Sequence, residues 1–180
     1  MIAPARRMCI LQRMMLYLMR HGPAVEPNTP GFRNDADRAL TGKGRRQVRK
    51  VARAMSKLEL DLDLILSSPY VRARQTAEIV AATLKIKKQL KYSNALAVGG
   101  DAALLLRQLE RMKPMPKSLL LVGHEPYLSQ LMSVLLTGNA RMNVDFKKSG
   151  LCKLEINKLK LGACATLVWL LTPPQLKLMK

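Results

Sequence analysis

Three short apolar runs, each closed by a polar or glycine-bearing turn, constrain the fold of this chain more than any other feature. Leu16 to Met19 is closed by Arg20-His21-Gly22, Leu62 to Leu66 by Ser67-Ser68-Pro69, and Ser118 to Val122 by Gly123-His124. Such short runs with little polar alternation fit strands buried on both faces inside a parallel sheet. Helical periodicity fills the intervals. Thr41 is an N-cap for a helix in which Val48, Val51, Ala52, Met55 and Leu58 share one face, with Lys and Arg opposite. Arg72 to Leu84 repeats through Thr76, Ile79, Val80 and Thr83, and Asp101 to Met112 repeats through Leu105, Leu109 and Met112. Pro126 to Leu136 opens with proline in its first turn, where the missing N–H has no helical partner to lose. Pro23 to Arg38 is a loop, and Leu151 to Ile156 with Ala163 to Leu171 forms a closing hairpin. This alternation predicts an α/β protein, a three-layer α/β/α fold with a mainly parallel central sheet. Sites in such sheets lie at the carboxyl ends of the strands.

A chain of 180 residues suits one core, taken here as a single domain over residues 14–180. Residues 1 to 13 read as a disordered extension or a start-site artefact. Arg6 and Arg7 before an apolar stretch resemble a secretory leader, but Arg13 interrupts it and no small-residue cleavage site follows. The longest apolar stretches, Met14 to Met19 and Leu167 to Leu171, fall far short of the roughly 20 residues that cross a bilayer, so no membrane association is expected. The net charge of +19 is spread along the chain, +9, +5 and +5 over successive sixty-residue thirds. It describes a basic surface that favours an anionic substrate or partner. Aromatic residues make up only 4%, with no aromatic-interleaved basic motif, which disfavours nucleic acid as the partner. Cys9, Cys152 and Cys164 lack the spacing of a zinc or redox motif and read as reduced thiols of a cytoplasmic protein, expected to be a monomer.

His21 and His124 are the only histidines, and each follows an apolar strand with a glycine beside it. One such histidine is as often a satisfied side chain as a functional one; two at equivalent strand ends point to a shared site. Arg20 and Arg72 stand on the same rim, and a guanidinium presents a planar fork of donors suited to a phosphate group. Spacing alone leaves open that Arg72 is a solvated helix-face charge like Arg74. Two histidines can ligate zinc, yet the neighbouring arginines repel a cation and attract an oxyanion. Ser67 and Ser68 lack the glycine elbow of a serine nucleophile, and Gly42-Lys43-Gly44 is not a P-loop.

These residues carry a family resemblance. Leu18-Met19-Arg20-His21-Gly22 resembles the Arg-His-Gly signature of the histidine phosphatase superfamily, which includes the cofactor-dependent phosphoglycerate mutases. Leu40-Thr41-x-x-Gly44, the block from Ser67 to Ala77, and Val122-Gly123-His124-Glu125-Pro126 match later family blocks in order, over about residues 15 to 137. The short chain and Asp35-x-x-Arg38-x-Leu40-Thr41 are most similar to the SixA-type phosphohistidine phosphatases. The resemblance implies a phosphoglycerate mutase-like fold, His21 as the nucleophile that is transiently phosphorylated, Arg20 and Arg72 as phosphoryl ligands, and His124 as the second pocket histidine. It carries over Arg38 as a further phosphate ligand, with no cofactor and no metal.

Many members of the superfamily place a glutamate proton donor after the second block, whereas this chain has no glutamate between Glu78 and Glu110. Asp35 and Asp101 are the candidates to replace it, each equally readable as a solvated loop carboxylate. An imidazole leaving group, whose conjugate acid has a pKa of about 6.5, needs a proton donor far less than an alkoxide does. The expected activity is therefore hydrolysis of phosphohistidine on a signalling or phosphocarrier protein. A phosphatase of small phosphate monoesters and a non-catalytic basic polyanion-binding protein are the alternatives.

Overall fold

The computed structural model describes residues 13–32 and 34–179; of the extension read from the sequence, residues 1 to 12 lie outside them. The described residues form one six-stranded sheet in the order β3-β2-β4-β1-β5-β6. Its strands are β1 (Met14–Arg20), β2 (Leu64–Ser67), β3 (Leu90–Tyr92), β4 (Ser118–Gly123), β5 (Leu151–Ile156) and β6 (Ala165–Leu171). The first four run parallel, and β5 and β6 pair antiparallel as the expected hairpin. The helices are α1 (Gly42–Lys57), α2 (Val71–Thr83), α3 (Ala102–Glu110), α4 (Tyr127–Thr137) and α5 (Pro173–Lys177).

Alternate side chains of a strand point to opposite faces, and β1 divides accordingly between two cores. Met14, Leu16 and Leu18 pack with the apolar faces of α3 and α4, while Tyr17 and Met19 pack with α1, α2 and α5. The three layers follow from this division. On α1, Val48, Val51, Ala52 and Met55 are fully buried, and the Thr41 hydroxyl accepts from the Gly44 N–H as its N-cap.

Three details depart from the sequence reading. On α2 the buried face runs through Arg72, Ala73, Thr76, Ala77, Val80 and Ala81, leaving Ile79 and Thr83 half-buried. A row of alanines lets this helix lie close to its neighbours, so small size decides the face more than hydrophobicity. The three-residue β3 forms a half-exposed edge without an apolar run. The short α5 is closed by Gln175 accepting from the Thr172 N–H and buries Leu176. The loop after β1 is also more ordered than expected: Ala24 and Leu40 form a β-bridge, and Asp35–Asp37 is a turn of 3-10 helix.

That loop fixes where α1 begins. Thr41 N–H donates to the Pro23 carbonyl, and a Cβ built on Gly44 would lie 1.9 Å from the same oxygen. Gly44→Ala should therefore lower stability by about 1–3 kcal/mol, as overpacking does, and displace the segment after His21. Gly42→Ala, whose Cβ would meet only the Arg46 guanidinium at 3.6 Å, should be neutral. Urea denaturation of the two variants checks the contrast.

Candidate active site

The register of three parallel strands assembles the site. Arg20 pairs with Gly123 across β1 and β4, so His21 and His124, the next residues, emerge side by side. Ser67 pairs with Val122 across β2 and β4, which sets Ser68 beside His124 from the other flank. Arg72 lies in the first turn of α2 and is 3% exposed, so it points into the site and is not a solvated helix charge. The imidazole centroids of His21 and His124 are 5.1 Å apart, and the Tyr70 ring lies 5.2 Å from His124.

Hydrogen bonds orient both imidazoles and fix the proton of His21. His21 Nδ1 lies 2.7 Å from the Gly22 carbonyl, which can only accept, so Nδ1 carries the proton and Nε2 keeps its lone pair. Arg72 Nε donates towards that lone pair at 3.3 Å. The Gly22 N–H donates to Thr76 Oγ1, and Thr76 donates to the Arg72 carbonyl, tying the loop after β1 to α2. On the second histidine, Nε2 lies 2.8 Å from Ser68 Oγ. The Ser68 oxygen already accepts from the Tyr70 N–H. A serine hydroxyl can donate and accept at once, so this bond holds the His124 ring whichever nitrogen carries its proton. His124 Nδ1 is buried without a partner among the described residues.

Both histidines are neutral. Burial pushes the His21 pKa down to about 3; the Gly22 hydrogen bond opposes this, and the fields of His124, Arg72 and Arg20 add to it. Burial also pushes His124 down to about 3, with Arg72, Arg38 and Arg20 assisting and Asp35 opposing. A buried neutral imidazole whose Nε2 keeps its lone pair is a nucleophile that acid does not readily quench.

The sequence candidates separate into two groups. Arg20, His21, Arg38, Arg72, His124 and Asp35 come together. Arg72 donates to the Asp35 carbonyl at 2.6 Å and to its Oδ2 at 2.7 Å, while Arg38 Nε donates to Oδ1 at 2.8 Å. Partial burial works to raise the Asp35 pKa, but hydrogen bonds from Arg38 and Arg72 outweigh it and hold the carboxyl below its usual range. Asp35 is thus an ionised acceptor here, seated in forks suited to a phosphoryl group, and has no proton to give. Arg20 Nη1 donates to the Phe146 carbonyl, and its buried Nε has no partner among the described residues. Asp101 lies apart: its exposed carboxylate accepts from the Ala103 and Leu104 N–H groups as the N-cap of α3. No cluster of three His, Cys, Asp or Glu capable of holding a metal occurs among the described residues.

Ser68 and the loop ending in Phe146 and Ser149 were not legible as site residues. Ser149 N–H donates to the Arg20 and His21 carbonyls, bracing β1 where it ends.

A sequence profile of the histidine phosphatase superfamily (branch 1) matches residues 16–97. The phosphohistidine phosphatase SixA homolog of Haemophilus influenzae is 32% identical over 131 residues, covering 68% of this chain and 77% of its own. The chain belongs to the histidine phosphatase superfamily. An uncharacterized protein of Picosynechococcus is 35% identical over 164 residues, 90% of this chain and 98% of its own. The structure of the protein histidine phosphatase SixA with tungstate superposes with a TM-score of 0.76 at 26% identity, covering 91% of this chain and all of that one. The α/β architecture of this histidine phosphatase is shared with phosphoglycerate mutase from Bacillus anthracis, at a TM-score of 0.61. No helix among its described residues is long and apolar enough to cross a membrane.

Two outcomes follow from the site. With folded pKa values near 3 and unfolded values near 6.5, the unfolded chain binds more protons between these limits, so stability falls as pH drops from about 6.5 towards 3. His21→Gln and His124→Gln should each flatten that dependence by up to about one proton, measured from urea unfolding across the range. Ser68→Ala should free the His124 ring, shift its tautomer balance and reduce kcat by roughly ten-fold or more, up to the 10²–10⁴-fold typical of acid–base groups. Ser68→Thr, which keeps the hydroxyl, should retain most activity, and ¹⁵N spectra of the ring should show the tautomer change in the alanine variant alone.

Proposed function

We propose that this histidine phosphatase hydrolyses phosphohistidine on a partner protein through a phosphorylated His21. The observation that carries the reading is the His21 imidazole, its Nδ1 held by the Gly22 carbonyl and its Nε2 facing Arg72, with the Asp35 carboxyl kept ionised by Arg38 and Arg72. In the first step Nε2 forms a bond to phosphorus as the P–N bond of the substrate breaks. The departing ring, protonated on its far nitrogen, leaves as neutral imidazole and requires no acid from the enzyme. Arg20, Arg72 and Arg38 neutralise the phosphoryl oxygens, and His124, whose Nδ1 has no partner among the described residues, supplies a further hydrogen bond to one of them. Water then attacks the phosphohistidine, His21 recovers its lone pair, and phosphate is released. The names of the SixA relatives support the same substrate class.

The phosphoryl group must displace Asp35 from the guanidinium forks. With the carboxylate seated there, His21 is 7% exposed and His124 1%. Asp35 thus competes with the substrate for the same donors and returns to them when phosphate leaves.

The proposed activity is tested with one purified sample on a phosphohistidine protein, an aryl phosphate and 3-phosphoglycerate. The expected order of kcat/KM is phosphohistidine, then aryl phosphate, then the alkyl phosphate, because the leaving groups become poorer in that order. His21→Ala should abolish all three with the fold intact, and comparable turnover of 3-phosphoglycerate and phosphohistidine would move the assignment to small phosphate esters. Asp35→Ala should tighten inhibition by inorganic phosphate or tungstate several-fold, since it removes the internal competitor. Unchanged or weaker inhibition would show that Asp35 orders the arginines instead.

A further inference from the structure

Outside the catalytic centre, both charge and clefts gather around α1. This helix carries Lys43, Arg45, Arg46, Arg49, Lys50, Arg53 and Lys57 and no acidic residue. Like charges three or four residues apart, as Arg49 and Arg53 or Arg53 and Lys57, destabilise a helix. Lys43 and Arg45 also stand in its first turn, against the positive end of the helix dipole. None of the ion pairs among the described residues involves an α1 side chain. A helix that breaks two local rules without compensation inside its own fold is expected where function requires it.

Two clefts flank the helix. One of about 560 Å³ lies between α1, α2 and β3, with Arg49, Arg53 and Lys87 around a floor of Ile79, Ala82 and Leu90. Glu78 also lines it, paired with Arg74 at 3.6 Å. The other, about 320 Å³, lies between α1 and α5, where Lys50, Lys57 and Lys177 surround Leu176 and Met179. Apolar pockets rimmed by charge are the anatomy of a protein interface. No aromatic stands on α1 itself for a base to stack on, and Tyr92 of β3, the exposed aromatic beside the first cleft, is bonded there to Glu78.

We propose that the exposed face of α1, with its flanking clefts, docks the acidic protein surface that delivers a phosphorylated histidine to His21; this rests on the function proposed above. The helix starts at the catalytic rim, where Thr41 is bonded to Pro23 and a Cβ on Gly22 would strike Val48. From there it runs roughly 24 Å along the side of the molecule. A standard interface covers about 800 Å² per partner, a patch roughly 30 Å across, so a contact that holds His21 near one edge and extends along this side of the molecule spans the length of α1.

The test is the triple variant Arg49→Glu, Arg53→Glu, Lys57→Glu, assayed on free phosphohistidine and on an acidic phosphocarrier protein phosphorylated on histidine. The expected result is a ten-fold or greater fall in kcat/KM on the protein, carried by KM, with turnover of free phosphohistidine unchanged, which also shows that the variant is folded. Equal effects on both substrates, or none on the protein, would overturn the proposal. If the wild-type enzyme cleaves neither substrate, the proposed function fails and the surface is judged separately by binding of fluorescein-labelled polyglutamate. Loss of that binding in the triple variant supports the docking face, and unchanged binding overturns it. Single-stranded RNA that binds more tightly than polyglutamate at equal salt, and is lost in the same variant, assigns the face to nucleic acid and overturns the protein partner.

Discussion

The Asp35 carboxylate sits between Arg72 and Arg38, and the state of the catalytic rim depends on that bridge. Three guanidinium groups and two imidazoles converge where β1, β2 and β4 end, a gathering of like charge that a low-dielectric site tolerates only if it is balanced or neutralised. The structure does both. Asp35 takes up the forks of two arginines, and burial keeps the imidazoles uncharged. The same forces that leave His21 uncharged leave its Nε2 a lone pair, so the electrostatic solution to the folding problem is also what the proposed phosphoryl transfer requires of it.

Much of this was legible in the sequence because strand ends announce themselves. Arg20, His21 and His124 each follow an apolar run, and parallel pairing brings such ends to one edge of the sheet. Arg72 was harder. Helical spacing alone could not distinguish it from Arg74, and only tertiary packing puts one in the dry site and leaves the other at the surface. Ser68 lacks the glycine elbow of a nucleophile, and its contact with His124 depends on strand register and a rotamer that no local pattern encodes. Asp101 looked as free as Asp35, yet its place one residue before a helix committed it to capping. The edge strand β3 and the short α5 escaped notice for want of an apolar run or sufficient length.

Two ranges of electrostatics operate in the molecule, and salt separates them. Inside the site the donors lie within about 3 Å of the groups they hold, with Arg72 buried and Asp35 half exposed, so ions in solution screen these contacts less than those made across solvent. Along α1 the cations are exposed and act across solvent, where the Debye length at physiological salt is about 8 Å. Raising the ionic strength therefore weakens capture of a charged macromolecule while leaving the chemistry at His21 almost untouched. A net charge of +19 would be an encumbrance for an enzyme acting on a small monoester, since it also attracts every other polyanion. For an enzyme whose substrate is an acidic protein surface, the same charge sets the rate of encounter, and the buried arginines decide what happens after it.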